Sequence, residues 1–95
     1  MLNKVKTALR YSSNVLDEEI QDTIDECYRD MHRVGIAIYD KENKVKESIT
    51  KDALIISCQK QHARWKFNFE NAAERYRNAY ESMRDGMSLS GDYNV

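Results

Sequence analysis

Apolar residues recur at helical spacing along most of the chain. Leu2, Val5, Ala8 and Leu9 share one face and predict a short first helix over residues 2–9. Leu16, Ile20, Ile24, Cys27, Met31 and Val34 step by four, four, three, four and three, which marks a longer second helix. Asp17, Glu18 and Glu19 lie in its first turn, where the helix macrodipole favours negative charge. Arg33 lies in its last turn, and Gly35 is placed as a left-handed stop. A third helix is predicted from about Lys51 to Phe67, with Thr50 as N-cap and Asp52 in the first turn. Its apolar face is wide: Ala53, Leu54, Ile55, Ile56, Cys58, Ala63, Trp65, Phe67 and Phe69. A stripe of that width implies contact with more than one neighbouring helix. The fourth helix is predicted from Asn71, with Glu74 three residues on as a capping-box-like pair. Ala72, Ala73, Tyr76, Ala79, Tyr80 and Met83 form its inner face, and Gly86 follows Asp85 as a stop.

Two stretches fall outside this periodicity. Residues 36–50 read as a long charged loop, with one short extended piece at Ile36 to Tyr39. Residues 87–95 read as an extended tail in which Met87 and Leu89 alternate with serines before Tyr93. Spaced apolar anchors of this kind are typical of docking peptides. The pattern therefore predicts an all-α chain: a small antiparallel helical bundle over residues 1–86, its core centred on Trp65, and a docking tail over residues 87–95.

Composition narrows the function. The chain has 95 residues, enough for one small core. Charged residues make up 33%, above the usual quarter, and imply long solvated helix faces. The net charge of -1 gives no global attraction to nucleic acid or anionic lipid. The charge is segregated all the same. Lys4, Lys6 and Arg10 open the chain without an acid, acids dominate residues 17–34, and Lys51, Lys60, Arg64 and Lys66 face Asp52 alone in residues 51–69. Such opposed segments suit either subunit contacts or helix pairing inside one chain. Cys27 and Cys58 read as small buried hydrophobes. No stretch approaches the roughly 18 apolar residues of a membrane span, so a soluble, intracellular product is expected.

Candidate chemistry is sparse. Asp22, Asp25, Glu26 and Asp30 put carboxylates on the second helix, but facing away from the Ile20/Ile24 stripe, as a solvated face does. Cys58 and His62 are an i, i+4 pair without two further zinc ligands. No nucleophile has a base arrangement, and there is no glycine-rich phosphate loop. Neither an enzyme nor a cofactor or metal is expected. Gln59, Lys60, Gln61, His62, Arg64 and Lys66 give the third helix a polar, basic outer side. The alternative reading is thus a small helical DNA-binding regulator using residues 51–67, although the long loop before that helix is not a helix-turn-helix turn.

One resemblance spans nearly the whole chain. It is carried by Leu2-x-x-Val5-Lys6-x-x-Leu9-Arg10, by Asp17-Glu18-Glu19-Ile20 with Ile24, and by Asp30 to Gly35-Ile36. It continues in Asp52-Ala53-Leu54-Ile55, Glu74-Arg75-Tyr76-x-x-Ala79-Tyr80-Glu81 and Met87-Ser88-Leu89-Ser90-x-Asp92-Tyr93. In these motifs the chain resembles the head–tail connector proteins of tailed phages, also called head-completion or DNA-packaging adaptors; residues 37–48 match least. The resemblance implies a structural virion protein at the head–tail interface, assembled in the host cytoplasm. It implies a ring, typically a dodecamer, under the portal protein, from a chain that is monomeric or weakly oligomeric when isolated. The ring extends the DNA channel, passes DNA without sequence-specific binding, and receives a stopper or tail-completion protein. Met87, Leu89, Asp92 and Tyr93 would then dock on the portal or a neighbouring copy. Asp22, Asp25, Glu26, Asp30, Lys60, Arg64 and Lys66 are candidates for subunit contacts or for facing the channel.

Overall fold

The computed structural model describes residues 1–94; Val95, the end of the predicted tail, lies outside the described residues. The chain is all-α, with only isolated β-bridges among the described residues. Five helices follow in order: α1 Leu2–Leu9, α2 Asp17–Arg33, α3 Glu47–Lys51, α4 Ala53–Lys66 and α5 Ala73–Ser88. A single 3-10 turn, Phe69–Asn71, joins the last two. Helix α4 is the centre of the assembly. It packs most extensively on α5 and also touches α1, α2 and α3, which is why its apolar stripe is so wide.

The core draws on every part of the chain. Val5 and Leu9 come from α1, Ile20, Ile24, Cys27 and Met31 from α2, Ile55 and Cys58 from α4, and Tyr80 from α5. Each fully buried aliphatic side chain stabilises the fold by about 1.5–3 kcal/mol relative to leaving it in water. Trp65 is only partly buried and packs against this cluster from its edge. The core is therefore not centred on Trp65. The largest of its fully buried side chains is Tyr80.

The stretch over residues 36–50 is not a featureless loop. Gly35 takes the left-handed conformation expected of it, with φ of 102°, and Ile36 N–H closes the helix end onto the Met31 carbonyl. Ile36 and Ile38 then both reach the core, as does Ile49. Between them Tyr39 and Val45 form an antiparallel bridge. The turn is held by Asp40, whose Oδ1 accepts from the amides of Glu42 (2.8 Å) and Lys44 (3.1 Å), with Asn43 left-handed. Helix α3 completes the segment. The charged residues that gave it the look of a loop point outwards, and three isoleucines anchor it.

Helix boundaries shift for local reasons. Asp52, not Thr50, caps α4: its backbone is extended and its carboxylate accepts from Leu54 N–H (2.9 Å) and Ile55 N–H (3.1 Å). The same residue ends α3. At the other joint Asn68, Glu70 and Asn71 all have positive φ. That tight reversal takes Asn71 out of the helix, so α5 starts at Ala73 without a side-chain cap. Asn visits this region at little cost, whereas Glu70 carries strain of about 1 kcal/mol. Gly86 does not stop α5, which continues through Ser88 and carries Met87 into the core at 4% exposure. Burial of the Met87 side chain holds one more half-turn of helix than glycine's propensity alone favours.

Candidate assembly surfaces

The segment after α5 folds back on its own bundle. Leu89 caps the helix, and residues 91–93 turn so that Tyr93 packs against the core from outside. The Tyr93 carbonyl accepts from Ala37 N–H at 2.7 Å, and Asn94 forms an antiparallel bridge with Ile36. The Tyr93 hydroxyl lies 3.1 and 3.0 Å from the two carboxylate oxygens of Asp52 and donates to them. Burial and the adjacent Asp52 charge both push the Tyr93 phenol up from its ordinary range. One carboxylate thus serves two elements, capping α4 and tethering the tail. Met87 is interior, whereas Leu89 is 86% exposed and Asp92 is exposed. Beside them a shallow groove of about 390 Å³ is lined by Leu54, Met83, Met87 and Tyr93, and Leu54 is itself half exposed.

The candidate acids of α2 divide into two groups. Asp22 is exposed, and Asp25 is partly exposed with only the Gln21 amide at 3.0 Å. Glu26 reaches α4, pairing with Lys66 at 3.2 Å and lying 3.7 Å from His62 Nε2. Asp30 does not belong to a solvated face. Its Oδ2 accepts from the Tyr80 hydroxyl (2.6 Å) and Arg84 Nη1 (2.8 Å), and its Oδ1 from Arg33 Nη2 (2.8 Å). Burial alone raises the Asp30 carboxyl, but the hydrogen bonds from Tyr80, Arg84 and Arg33 outweigh it and hold it down at about 2. Arg84 is affected in the opposite sense: burial lowers its guanidinium, and the bonds to Asp30 and Asp85 raise it well above its ordinary value. Asp30 sits on the flank of the α2 stripe, and although Arg33 is a local i,i+3 partner, Tyr80 and Arg84 lie 50 and 54 residues away, so local spacing gave no sign of this role.

Helix α4 presents less of a polar outer side than its composition indicates. Gln59 is buried and donates from Nε2 to the Ile24 carbonyl at 3.0 Å. His62 is 2% exposed, edge-on to Tyr80 and Trp65 with ring centroids at 4.9 and 5.6 Å. Burial drives its pKa down to about 4 against the pull of Glu26. Lys66 lies over the Trp65 ring at 4.1 Å as well as on Glu26. Lys60 is partly exposed. Arg64 donates to the Ala8 carbonyl at 3.3 Å and stacks over Phe69 and Tyr76. The buried Gln59 and His62 and the engaged Lys66 leave this helix without the contiguous face that groove reading requires.

Cys27 and Cys58 are both free and fully buried, side by side between α2 and α4; burial and the neighbouring thiol push Cys27 well above its ordinary value. Among the described residues no three His, Cys, Asp or Glu side chains converge as a metal site, and no helix is long and apolar enough to cross a membrane.

What the geometry offers is a rigid bundle with apolar and charged contact surfaces. Comparisons with curated proteins and with solved structures find no match. A family comparison does: the description "Phage connector protein" fits residues 1–94, essentially the whole chain and every element described above. The chain therefore belongs to the phage connector proteins, structural components of the virion that join other phage head and tail proteins.

Proposed function

We propose that this chain is the subunit of a ring seated beneath the portal, where it extends the DNA channel and offers its far side to a stopper or tail-completion protein. The observation that carries the proposal is the family match over residues 1–94. The tail adds support. Leu89 stands in water beside the Leu54/Met83 groove, on a segment held to the bundle by Met87 and by the Tyr93–Asp52 bonds. In this reading Leu89 and Asp92 meet the portal or the adjacent copy, Tyr93 releases or keeps its Asp52 bond according to that contact, and Met87 anchors the segment from inside. DNA passes the ring without sequence-specific binding, which agrees with a net charge of -1.

The test is to mix the purified protein with portal rings and image the complexes by electron microscopy, with co-sedimentation as the quantitative readout. The expected result is an added ring on one end of the portal, weakened at least about tenfold by Leu89→Asp, since a charge in a desolvated apolar contact costs well over 1.4 kcal/mol. Absence of any complex with the unaltered chain would refute the ring; full binding by the variant would remove the tail from the contact.

A further inference from the structure

Where α1, α4 and α5 meet, the fold assembles a cluster that the linear sequence disperses over some 65 residues. Arg10 lies over the Phe69 ring at 5.4 Å, and Arg64 over both Phe69 (5.5 Å) and Tyr76 (5.7 Å). Arg75 covers Tyr76 at 5.3 Å, and the two rings meet edge-on at 6.1 Å. Arg10 and Arg75 are exposed, and neither forms an ion pair among the described residues. The aromatic rings lie within cation–π range of all three guanidinium groups and gather them into one cluster. Arg10 itself follows α1 in the left-handed conformation at its C-terminus.

On α2 the complement stands equally free. Glu18, Asp22 and Asp25 recur at four and three residues and share the outer face of the helix, opposite the Ile20, Ile24 and Met31 side that packs inwards. Glu18 and Asp22 have no ion-pair partner among the described residues, and Asp25 has only Gln21. This row looks away from α4, whereas the arginine cluster sits on the α1–α4–α5 side.

From this placement we propose that the Arg10–Arg64–Arg75 cluster of one copy receives the Glu18–Asp22–Asp25 row of the next. The proposal rests on the ring reading and names its subunit contact. Charge complementarity selects a second copy over DNA. The net charge of -1 gives no broad attraction to a phosphate backbone, whereas the acidic row supplies a short matching face on the same chain. Because the two faces point in different directions, one pair of copies satisfies only one of them. The contact is heterologous and propagates head to tail, which is the arrangement that closes into rings. The nearly balanced net charge keeps such propagation from accumulating repulsion.

The experiment uses the full chain. Arg10→Glu/Arg75→Glu and Glu18→Lys/Asp22→Lys are prepared separately, and self-association is followed by sedimentation equilibrium at high protein concentration in low salt, with circular dichroism to verify the fold. The unaltered chain is expected to associate, and to dissociate as salt shortens the screening length from about 10 Å at 0.1 M to about 3 Å at 1 M. Each variant alone should lose at least about tenfold in association constant, and an equimolar mixture should regain association as mixed pairs. Three results would overturn the contact: an unaltered chain that stays monomeric throughout, variants that associate undiminished, or a mixture that fails to recover. Retention of the unaltered chain on duplex DNA, lost in the arginine variant while self-association is intact, would assign the cluster to nucleic acid instead. Portal binding is measured independently, so a failure here leaves the ring reading to its own test.

Discussion

Removing the charge of Asp30 should cost this protein a large share of its stability. The perturbation is Asp30→Asn, which keeps the shape and one acceptor oxygen but abolishes the anion that Tyr80, Arg84 and Arg33 converge on. The carboxyl falls from its ordinary 3.8 to about 2 in the fold. At about 1.4 kcal/mol for each pH unit between those values, the charged form contributes roughly 2–3 kcal/mol at neutral pH. The loss should stay below the 3–5 kcal/mol typical of a stranded buried charge. Arg84 keeps Asp85 at 2.9 Å and Glu81 at 4.0 Å, and Asp30 is itself a quarter exposed and partly screened. For a domain of this length the change corresponds to a fall in Tm of about 10–20 °C. The sign with pH follows from the depressed carboxyl: the stabilisation is complete above about pH 5 and is mostly lost as pH falls to 2. Urea unfolding, monitored by far-UV circular dichroism and Trp65 fluorescence, should therefore show a gap between the two proteins at pH 7 that mostly closes by pH 2. A gap at neutral pH under 0.5 kcal/mol, or one that persists unchanged to pH 2, would refute the role given to this network. A double-mutant cycle with Arg84→Ala should return a coupling above about 1 kcal/mol.

Three further outcomes are expected. His62 is neutral in the folded chain with a pKa of about 4 against 6.5 when unfolded, so stability should fall by about 3 kcal/mol as pH drops from 7 to 4; a resonance assigned to His62 (absent in His62→Gln) that titrates near 6.5 in the native protein would contradict this. Tyr93→Phe removes the donor to Asp52 and should cost about 1–2 kcal/mol of local stability at the tail. Hydrogen exchange at the Ala37 amide, which donates to the Tyr93 carbonyl, should accelerate about tenfold; unchanged exchange would mean the tether does not hold the segment. Cys27 and Cys58 should resist thiol reagents in native buffer at pH 8 and react fully in denaturant; rapid native labelling would show that the α2–α4 seam opens.

The chain shows how far periodicity carries and where it stops. Stretches with a single apolar stripe were legible: α1 and α2 lie where their spacing puts them, because each has one buried face and that face is written at every third or fourth residue. A helix touching four others buries polar residues too, so in α4 Gln59 and His62, polar by sequence, lie inside the fold. Residues 36–50 are rich in charged side chains, and although Ile36 and Ile38 alternate in the short extended piece, Ile49 stands apart with no apolar pattern to place it in the core.

Sequence alone determined the helical class, the acidic α2 and the basic opening of the chain, because helix propensity, macrodipole preference and charge are properties of neighbouring residues. It also located the tail as unusual. Tertiary structure decided what each of these does. It turned Met87 inward and left Leu89 in water, joined Tyr93 to Asp52 across 41 positions, made Asp30 a junction of α2 and α5, and gathered Arg10, Arg64 and Arg75 around two rings. The physical reason is common to all four. Apolar burial, a hydrogen bond and a stacked cation all depend on where surrounding groups lie, and those positions do not exist until distant segments are packed together.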